Sequence, residues 1–214
     1  MFLRKLKVNF FLVFVLCFLL SAQDKIFIKA DKMIFKKNGI TEFKGNILFK
    51  TKNLKGTSKK LKKFSDERVL VQKDVYVIVK STGKKLSLWT QKLSLSQQDS
   101  KIYSDVASEF LIEISTGKNL NQSFRIFCSS FTGNYDKKVF ILTGKPVKIK
   151  GDGFYAYARN VFLYPNFAKL KGEVFIDYFK DPFCQISSNS GIFDFKIQKF
   201  SFFESVNAEV VEVK

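Results

Sequence analysis

The sequence contains no histidine, the residue that most often acts as an acid–base catalyst or a metal ligand. This absence excludes Ser-His-Asp and Cys-His triads and every histidine-ligated metal site. The three cysteines never occur at the Cys-x-x-Cys spacing of zinc and redox motifs. Carboxylates are scattered along the chain, so a pair assembled from distant strands is the enzymatic alternative that stays open. We therefore expect no enzyme activity, no catalytic residue, no metal and no cofactor.

Long apolar runs are absent except at the start of the chain. Three basic residues there precede an apolar run at 8–20, and Ser21-Ala22-Gln23 follows it. This order is typical of a secretory signal peptide, and the run is short for a membrane-spanning helix. We predict a signal peptide at residues 1–22 and a single exported domain at 23–214. An uncleaved anchor and a lipidated Cys17 are the alternatives.

Acidic residues are few, with 19 Asp and Glu against 37 Lys and Arg, which gives a formal net charge of +18. Removal of the three basic residues of the leader lowers that charge to +15. Such a surface favours anionic partners: a phosphorylated glycolipid, an anionic membrane or a nucleic acid. Export removes nucleic acid from this set. The alternative is that the lysines only solvate the outer faces of the fold.

Cysteine is also rare, and Cys128 and Cys184 alone belong to the predicted exported domain. An oxidising compartment permits a disulfide between them. They lie 56 residues apart in different repeats, so a bond requires distant parts of the sheet to meet. We expect two buried thiols.

Helical periodicity is nearly absent, and the sequence instead contains a repeat of about 30 residues. A small residue, an apolar residue three positions later and a β-branched residue about seventeen positions later recur along the chain. Successive small residues are 28, 32, 38, 30 and 30 positions apart. Such a period indicates one supersecondary unit whose copies bury their apolar faces against each other. The small residues are Ala30, Ser58, Thr90, Cys128, Ala158 and Ser188.

Each repeat reads as a bent β-hairpin. In the first repeat, residues 26–35 alternate as a strand does, apart from a three-residue step between Ala30 and Met33. A bulge at that step turns Met33 and Phe35 back toward the inside. Asn38-Gly39 then predicts a hairpin turn. The fold class is therefore all-β, an antiparallel meander of twelve or more strands that curls or splits to bury one face.

Two local features and one ambiguity accompany this prediction. Pro146 predicts a bulge or an edge position in the closing strand of the fourth repeat. About ten additional residues around 115–118 predict a longer hairpin or loop between the third and fourth repeats. The 26 phenylalanines fit either a core filled by side chains or an inner face that holds acyl chains, and the sequence leaves this choice open.

The first repeat, Ile28-Lys29-Ala30-Asp31-Lys32-Met33-Ile34-Phe35 followed by Phe43-Lys44-Gly45-Asn46-Ile47, resembles the OstA-like repeat of lipopolysaccharide-transport periplasmic bridge (LptA-like) proteins. The fifth repeat carries the pattern at Ala158, Val161 and Gly172-Glu173-Val174. The resemblance covers about residues 26–210. The motif is degenerate elsewhere: the position of Asp31 is taken in the later repeats by Lys59, Gln91, Ser129, Arg159 and Asn189.

The resemblance implies a β-jellyroll of stacked antiparallel hairpins, twisted and open at both ends. It implies a periplasmic protein, free or membrane-associated, that binds acyl chains of lipopolysaccharide or a related glycolipid in an apolar groove and passes them toward the outer membrane. Its partners are then other bridge components or a second copy, paired through the edge strands at 26–35 and 206–213. A ligand-free structural or assembly adaptor of the cell envelope is the alternative. The predicted lipid-binding residues of the inner face are Ile28, Ala30, Phe43, Ile47, Phe49, Val75, Val77, Leu88, Leu93, Val106, Phe131, Phe140, Val147, Val161, Val174, Ile176 and Phe193.

Overall fold

The structure is a computed structural model that describes residues 26–81, 84–115, 121–180 and 183–211. The predicted signal peptide at 1–22, including Cys17, lies outside these residues, as do positions 116–118 of the predicted loop. The described chain forms an antiparallel sheet of sixteen strands. The strands are β1 (Phe27–Lys29), β2 (Lys32–Phe35), β3 (Thr41–Lys50), β4 (Leu54–Lys63), β5 (Arg68–Ser81), β6 (Lys84–Ser96), β7 (Lys101–Ser104), β8 (Ser108–Ser115), β9 (Asn121–Cys128), β10 (Ser130–Asn134), β11 (Val139–Gly151), β12 (Phe154–Leu163), β13 (Phe167–Tyr178), β14 (Phe183–Asp194), β15 (Lys199–Phe203) and β16 (Asn207–Val211).

The sheet folds into two layers because the long strands break their pairing near the middle. Between β3 and β4, for example, the register shifts between Lys44 and Ile47. Each long strand therefore belongs to one layer with its first half and to the other layer with its second half. Layer one contains β1, β8, β9, β16 and the segments 47–50, 54–58, 75–81, 84–90, 147–151, 154–158, 174–178 and 183–188. Layer two contains β2, β7, β10, β15 and the segments 41–44, 60–63, 68–72, 92–96, 139–143, 160–163, 167–171 and 190–194.

The line along which the two layers meet is here called the seam, and the small residues of the repeat lie beside it. Ser58, Thr90 and Ser188 are buried there. Their hydroxyls donate to the carbonyl oxygens two residues further on, at 3.5, 3.2 and 2.9 Å. A small hydroxyl side chain thus pairs a backbone carbonyl at the bulge where the strand changes layers.

Polar pairs run along the outside of the seam, between the residue after the small one and the residue after the glycine of the closing strand. The Asp31 carboxylate accepts hydrogen bonds from the backbone and side-chain nitrogens of Asn46, at 2.9 and 3.1 Å. Gly45 has a φ of +95° and Gly172, its counterpart in the fifth repeat, has a φ of +74°, a conformation that favours glycine. The fifth repeat replaces the first pair by an ion pair between Arg159 and Glu173. The motif therefore encodes the bend between the layers.

The all-β antiparallel jellyroll is confirmed, and Pro146 lies in the predicted bulge, where the register shifts between Thr143 and Val147. The closing strand of the third repeat needs a correction. Val106, expected as an inner-face residue of that strand, is half-buried in the connection between β7 and β8. The reason lies at the seam, where Ser104 Oγ donates to the Val106 carbonyl at 3.2 Å and turns the chain out of the ladder.

The interior between the layers changes in character along the stack. In the first repeats it is mainly aliphatic, with Val69, Val71 and Val77 fully buried. In the last repeats it is aromatic. The rings that pack there against each other include Phe124, Phe154, Phe193, Phe195 and Phe200.

Candidate functional site

The predicted inner-face residues come together between the layers. Most of them are buried, and Ile28 and Ala30 at the first edge, together with Val106, are half-buried. Whether they bind lipid is a separate matter, which stays a prediction. The buried members are Phe43, Ile47, Phe49, Val75, Val77, Leu88, Leu93, Phe131, Phe140, Val147, Val161, Val174, Ile176 and Phe193.

Side chains of the two layers contact each other directly across this interior. Phe110 of layer one meets Phe131 of layer two with ring centroids 4.9 Å apart in an edge-to-face arrangement. Further along, Phe124 meets Phe193 at 5.1 Å and Phe154 meets Phe200 at 5.0 Å in the same geometry. Such pairs stabilise a packed core. In this structure the aromatic part of the interior is filled by the protein's own side chains.

The turns opposite the seam form a second boundary, here called the rim, where side chains join the layers. The Asn53 side-chain amide of layer one donates to the Asp136 carboxylate of layer two at 2.9 Å. The Lys84 ammonium of layer one donates to the Pro165 carbonyl at 2.6 Å and to the Asn166 side-chain oxygen at 3.3 Å. Since strands cross at the seam but side chains span the rim, the rim is the weaker boundary between the layers.

A small apolar mouth lies at the rim beside Lys84. Its volume is about 30 Å³, enough for a water molecule or two and about tenfold below a typical ligand pocket. Burial lowers the pKa of the Lys84 ammonium, and the charge of Asp194 opposes that shift. The residues lining the mouth are Val79, Lys84, Leu86, Ile112, Lys138, Leu163, Tyr164, Pro165 and Phe195.

Sequence reasoning missed the rim. The contact between Asn53 and Asp136 joins residues 83 positions apart, and that between Lys84 and Asn166 joins residues 82 apart. Asn53, Asp136 and Asn166 lie in turns and Lys84 is the first residue of β6, so both pairs fall outside the periodic part of each repeat. Neither a motif nor a spacing in the sequence signals them.

The remaining reactive groups are thiols and carboxylates, and within the described ranges they form no cluster that could hold a metal ion. No group of three or more Cys, Asp or Glu side chains converges there. Cys128 and Cys184 are free thiols, with Cys128 buried and Cys184 half-buried, so the expectation of two buried thiols holds fully for the first. Burial raises the pKa of the Cys128 thiol to about 12. The described part of the chain also contains no helix long and apolar enough to cross a membrane.

The two ends of the stack expose apolar side chains beside strands that pair on one side. At the first end, Met33 and Phe35 lie on β2 opposite Phe43 and Thr41. They share the inner face, as predicted, yet are 52% and 73% exposed because none of the described strands covers that end. At the other end Val210 on β16 is 61% exposed. Of the predicted second edge at 206–213, positions 212 and 213 lie outside the described residues.

The fold and its interior define a class: a two-layer antiparallel β-jellyroll with an apolar interior and an edge strand at each end. No protein-family model matches the chain, and no curated protein matches its sequence. Among solved structures, the chain aligns with LptH, the LptA-homologous periplasmic component of the lipopolysaccharide transport device of Pseudomonas aeruginosa. The alignment covers 89% of this chain and 96% of that one, with 9% identity and a TM-score of 0.24.

Proposed function

We propose that this protein is an exported, periplasmic carrier and bridge component, and that it is not an enzyme. It binds the acyl chains of lipopolysaccharide or a related glycolipid between its two layers and passes them toward the outer membrane. The observation that carries the proposal is the asymmetric closure of the apolar interior. Continuous strands cross the seam, whereas side-chain contacts such as Asn53–Asp136 join the rim.

This asymmetry makes the molecule a hinged pair of sheets around an apolar surface. Opening at the rim leaves the strand ladders intact and breaks a few exposed hydrogen bonds, each of which contributes about 1 kcal/mol. Acyl chains that enter gain about 0.8 kcal/mol for each buried CH₂ group. A chain of ten or more methylenes therefore offsets both the broken contacts and part of the rearranged core.

The edge strands supply the bridging surface in this proposal. Among the described strands, each end presents backbone groups without a ladder partner and exposed apolar side chains, which are a template for adding a strand of another chain. Phe27, Met33 and Phe35 occupy one end, and Phe203 and Val210 occupy the other. The partner is a second copy or another component with the same kind of edge.

The filled interior favours a second candidate, a ligand-free structural or assembly adaptor. Phe193 contacts Phe124, Phe154, Phe195 and Phe200 with ring centroids 4.3 to 5.5 Å apart. A core packed in this way is stable without a ligand. In the adaptor, only the edges function.

The two candidates are separated by lipid content. We would produce residues 23–214 by export in a bacterial host with an outer membrane and analyse the purified protein by mass spectrometry of extracted lipid. The carrier predicts copurifying acylated lipid or uptake of a pyrene-labelled dodecanoate. A protein free of lipid that also takes up no probe contradicts the carrier and leaves the adaptor.

A matched pair of variants locates the bound chain. Ile47→Glu places a carboxylate on the inner face, where Ile47 is 2% exposed, and Leu48→Glu places it on the outer face of the same strand. For the carrier, Ile47→Glu abolishes probe uptake and keeps a β-rich circular dichroism spectrum, whereas Leu48→Glu changes neither. Global unfolding of the Ile47 variant alone supports the filled core of the adaptor.

A further inference from the structure

We propose that the mouth at the rim is the site where the anionic headgroup of an acyl amphiphile binds. The ammonium groups of Lys84 and Lys138 take its phosphate or carboxylate, and once the rim opens the first methylenes of its chain lie on Leu86, Ile112 and Leu163. This inference rests on the proposed carrier function and adds to it a position and a headgroup chemistry.

Lys84 is a partly buried cation held by neutral oxygens. Its Nζ donates to the carbonyl of Pro165 and the side-chain oxygen of Asn166, and it lies 5.4 Å from the centroid of the Phe195 ring. The nearby Asp194 carboxylate accepts hydrogen bonds from the backbone nitrogens of Lys196 and Ile197 instead. Asp194 favours the charged form of Lys84 by its nearby charge, but the direct partners of the ammonium group are neutral oxygens, which satisfy its donors and supply no negative charge. An anionic oxygen at this position adds the charged partner that the ammonium group lacks.

Lys138 brings a second cation to the same mouth. It is half-buried and lines the mouth together with Lys84. Neither lysine forms an ion pair with an acidic side chain of the described residues. Two lysines that line one opening and have no ion-pair partner among the described residues fit a phosphate or carboxylate group.

Several of the other residues that line the mouth are apolar and connect it to the buried core. Val79, Ile112 and Leu163 belong to the buried core, and Leu86 packs against it. A free anion gains nothing from these side chains, whereas an amphiphile buries its methylenes on them. The combination of cations outside and core residues inside therefore selects an anionic group attached to an acyl chain.

Lys85 provides an internal control on the same strand. Its side chain points to the other face of the sheet, where it forms an ion pair with Glu113 at 2.7 Å and both groups are exposed. The two adjacent lysines thus differ in the charge of their partners. Lys85 has an acidic partner in solvent, and Lys84 has neutral partners beside an apolar opening.

The test uses dodecyl phosphate, dodecanoate, dodecanol and inorganic phosphate as probes, below their aggregation concentrations, with titration calorimetry on residues 23–214. Wild type and Lys85→Gln are expected to bind the two anionic amphiphiles at least about tenfold more tightly than dodecanol, since a hydrogen bond to a charged group contributes about 1.5–3 kcal/mol and 1.4 kcal/mol is tenfold. Lys84→Gln is expected to remove that headgroup preference while still binding dodecanol. The ratio of the two affinities is the readout, because loosening the rim changes both affinities alike.

Three results overturn the inference. If Lys84→Gln keeps the wild-type preference for anionic amphiphiles over dodecanol, the headgroup binds elsewhere and the carrier function still stands. Inorganic phosphate that competes as well as dodecyl phosphate shows a free anion site without a role for the chain. A wild-type protein that binds none of the amphiphiles overturns the site and the carrier function together.

Discussion

Phe193→Ala tests how much of the fold's stability comes from its aromatic interior. Phe193 is fully buried, and its ring centroid lies 5.1 Å from that of Phe124, 5.2 Å from that of Phe154 and 4.3 Å from that of Phe200. Truncation of a buried Phe to Ala lowers the free energy of unfolding by about 3–5 kcal/mol. Two of these rings belong to layer one, so the substitution also removes contacts between the layers.

Urea denaturation followed by circular dichroism measures the loss. With an m-value of about 2 kcal/mol per M, a loss of about 4 kcal/mol lowers the midpoint by about 2 M. Phe203→Ala is the matched control, because Phe203 is 47% exposed on the neighbouring β15, and its truncation should lower the free energy by at most about 1 kcal/mol. A loss below about 1 kcal/mol for Phe193→Ala refutes a tightly packed aromatic interior.

The remaining predictions concern the seam, the thiols and acid stability. Gly45→Ala should lower the free energy of unfolding by about 1–3 kcal/mol, because the residue has positive φ and a Cβ there overlaps the Asp31 carboxylate. Gly191→Ala, at a residue with ordinary φ, should lower that free energy less in the same urea titration. Equal losses for the two variants contradict the role of the seam. In a protein of residues 23–214 at pH 8, iodoacetamide should label Cys184 and should reach Cys128 only on unfolding, since burial raises the pKa of the Cys128 thiol to about 12. Equal labelling rates of the two thiols in the folded protein contradict the burial of Cys128. Hydrogen bonds and charge from Lys36 and Lys62 hold the pKa of Glu42 below its usual 4.5. The stability that this carboxylate contributes is therefore present above pH 4.5 and is lost as the pH falls through the lowered pKa of the folded state. Glu42→Gln should accordingly be less stable than wild type at pH 7, with the difference shrinking below pH 4.5; a difference that is constant across that range rejects the linkage.

The repeat was predictable because it follows local chemistry. A bend between layers needs a small inward side chain, as at Ser58 and Ala158, and a residue that tolerates positive φ, as at Gly45 and Gly172. The small residue recurs with every hairpin and is therefore visible as a period in the sequence, whereas positive φ at the closing bend is found in four of the six repeats. The inner face follows from the alternation of side chains along each strand.

The rim and the state of the interior were not predictable in this way. Lys84 and Asn166 meet because two turns from different repeats are brought to one side of the stack, and turn residues carry no period. The sequence also leaves open whether phenylalanines fill the interior. Ring contacts such as that between Phe110 and Phe131 depend on how closely the layers approach each other, which is a property of the whole sheet. The break between β7 and β8 at Val106 has a similar origin, since it depends on hydroxyl contacts of Ser104 at the seam.

The most direct measurement of the central claim is the distance across the rim with and without an acyl ligand. Spin labels at Lys52 and Lys137, which are exposed and lie beside the contact between Asn53 and Asp136, report this distance by pulsed electron paramagnetic resonance. If the layers open at the rim to admit a chain, dodecyl phosphate should widen the distance by about 4 Å, the separation that one added layer of carbon atoms requires. Labels at Lys59 and Lys73, beside the seam, should keep their distance. A rim distance that stays unchanged while the ligand binds contradicts the hinged carrier.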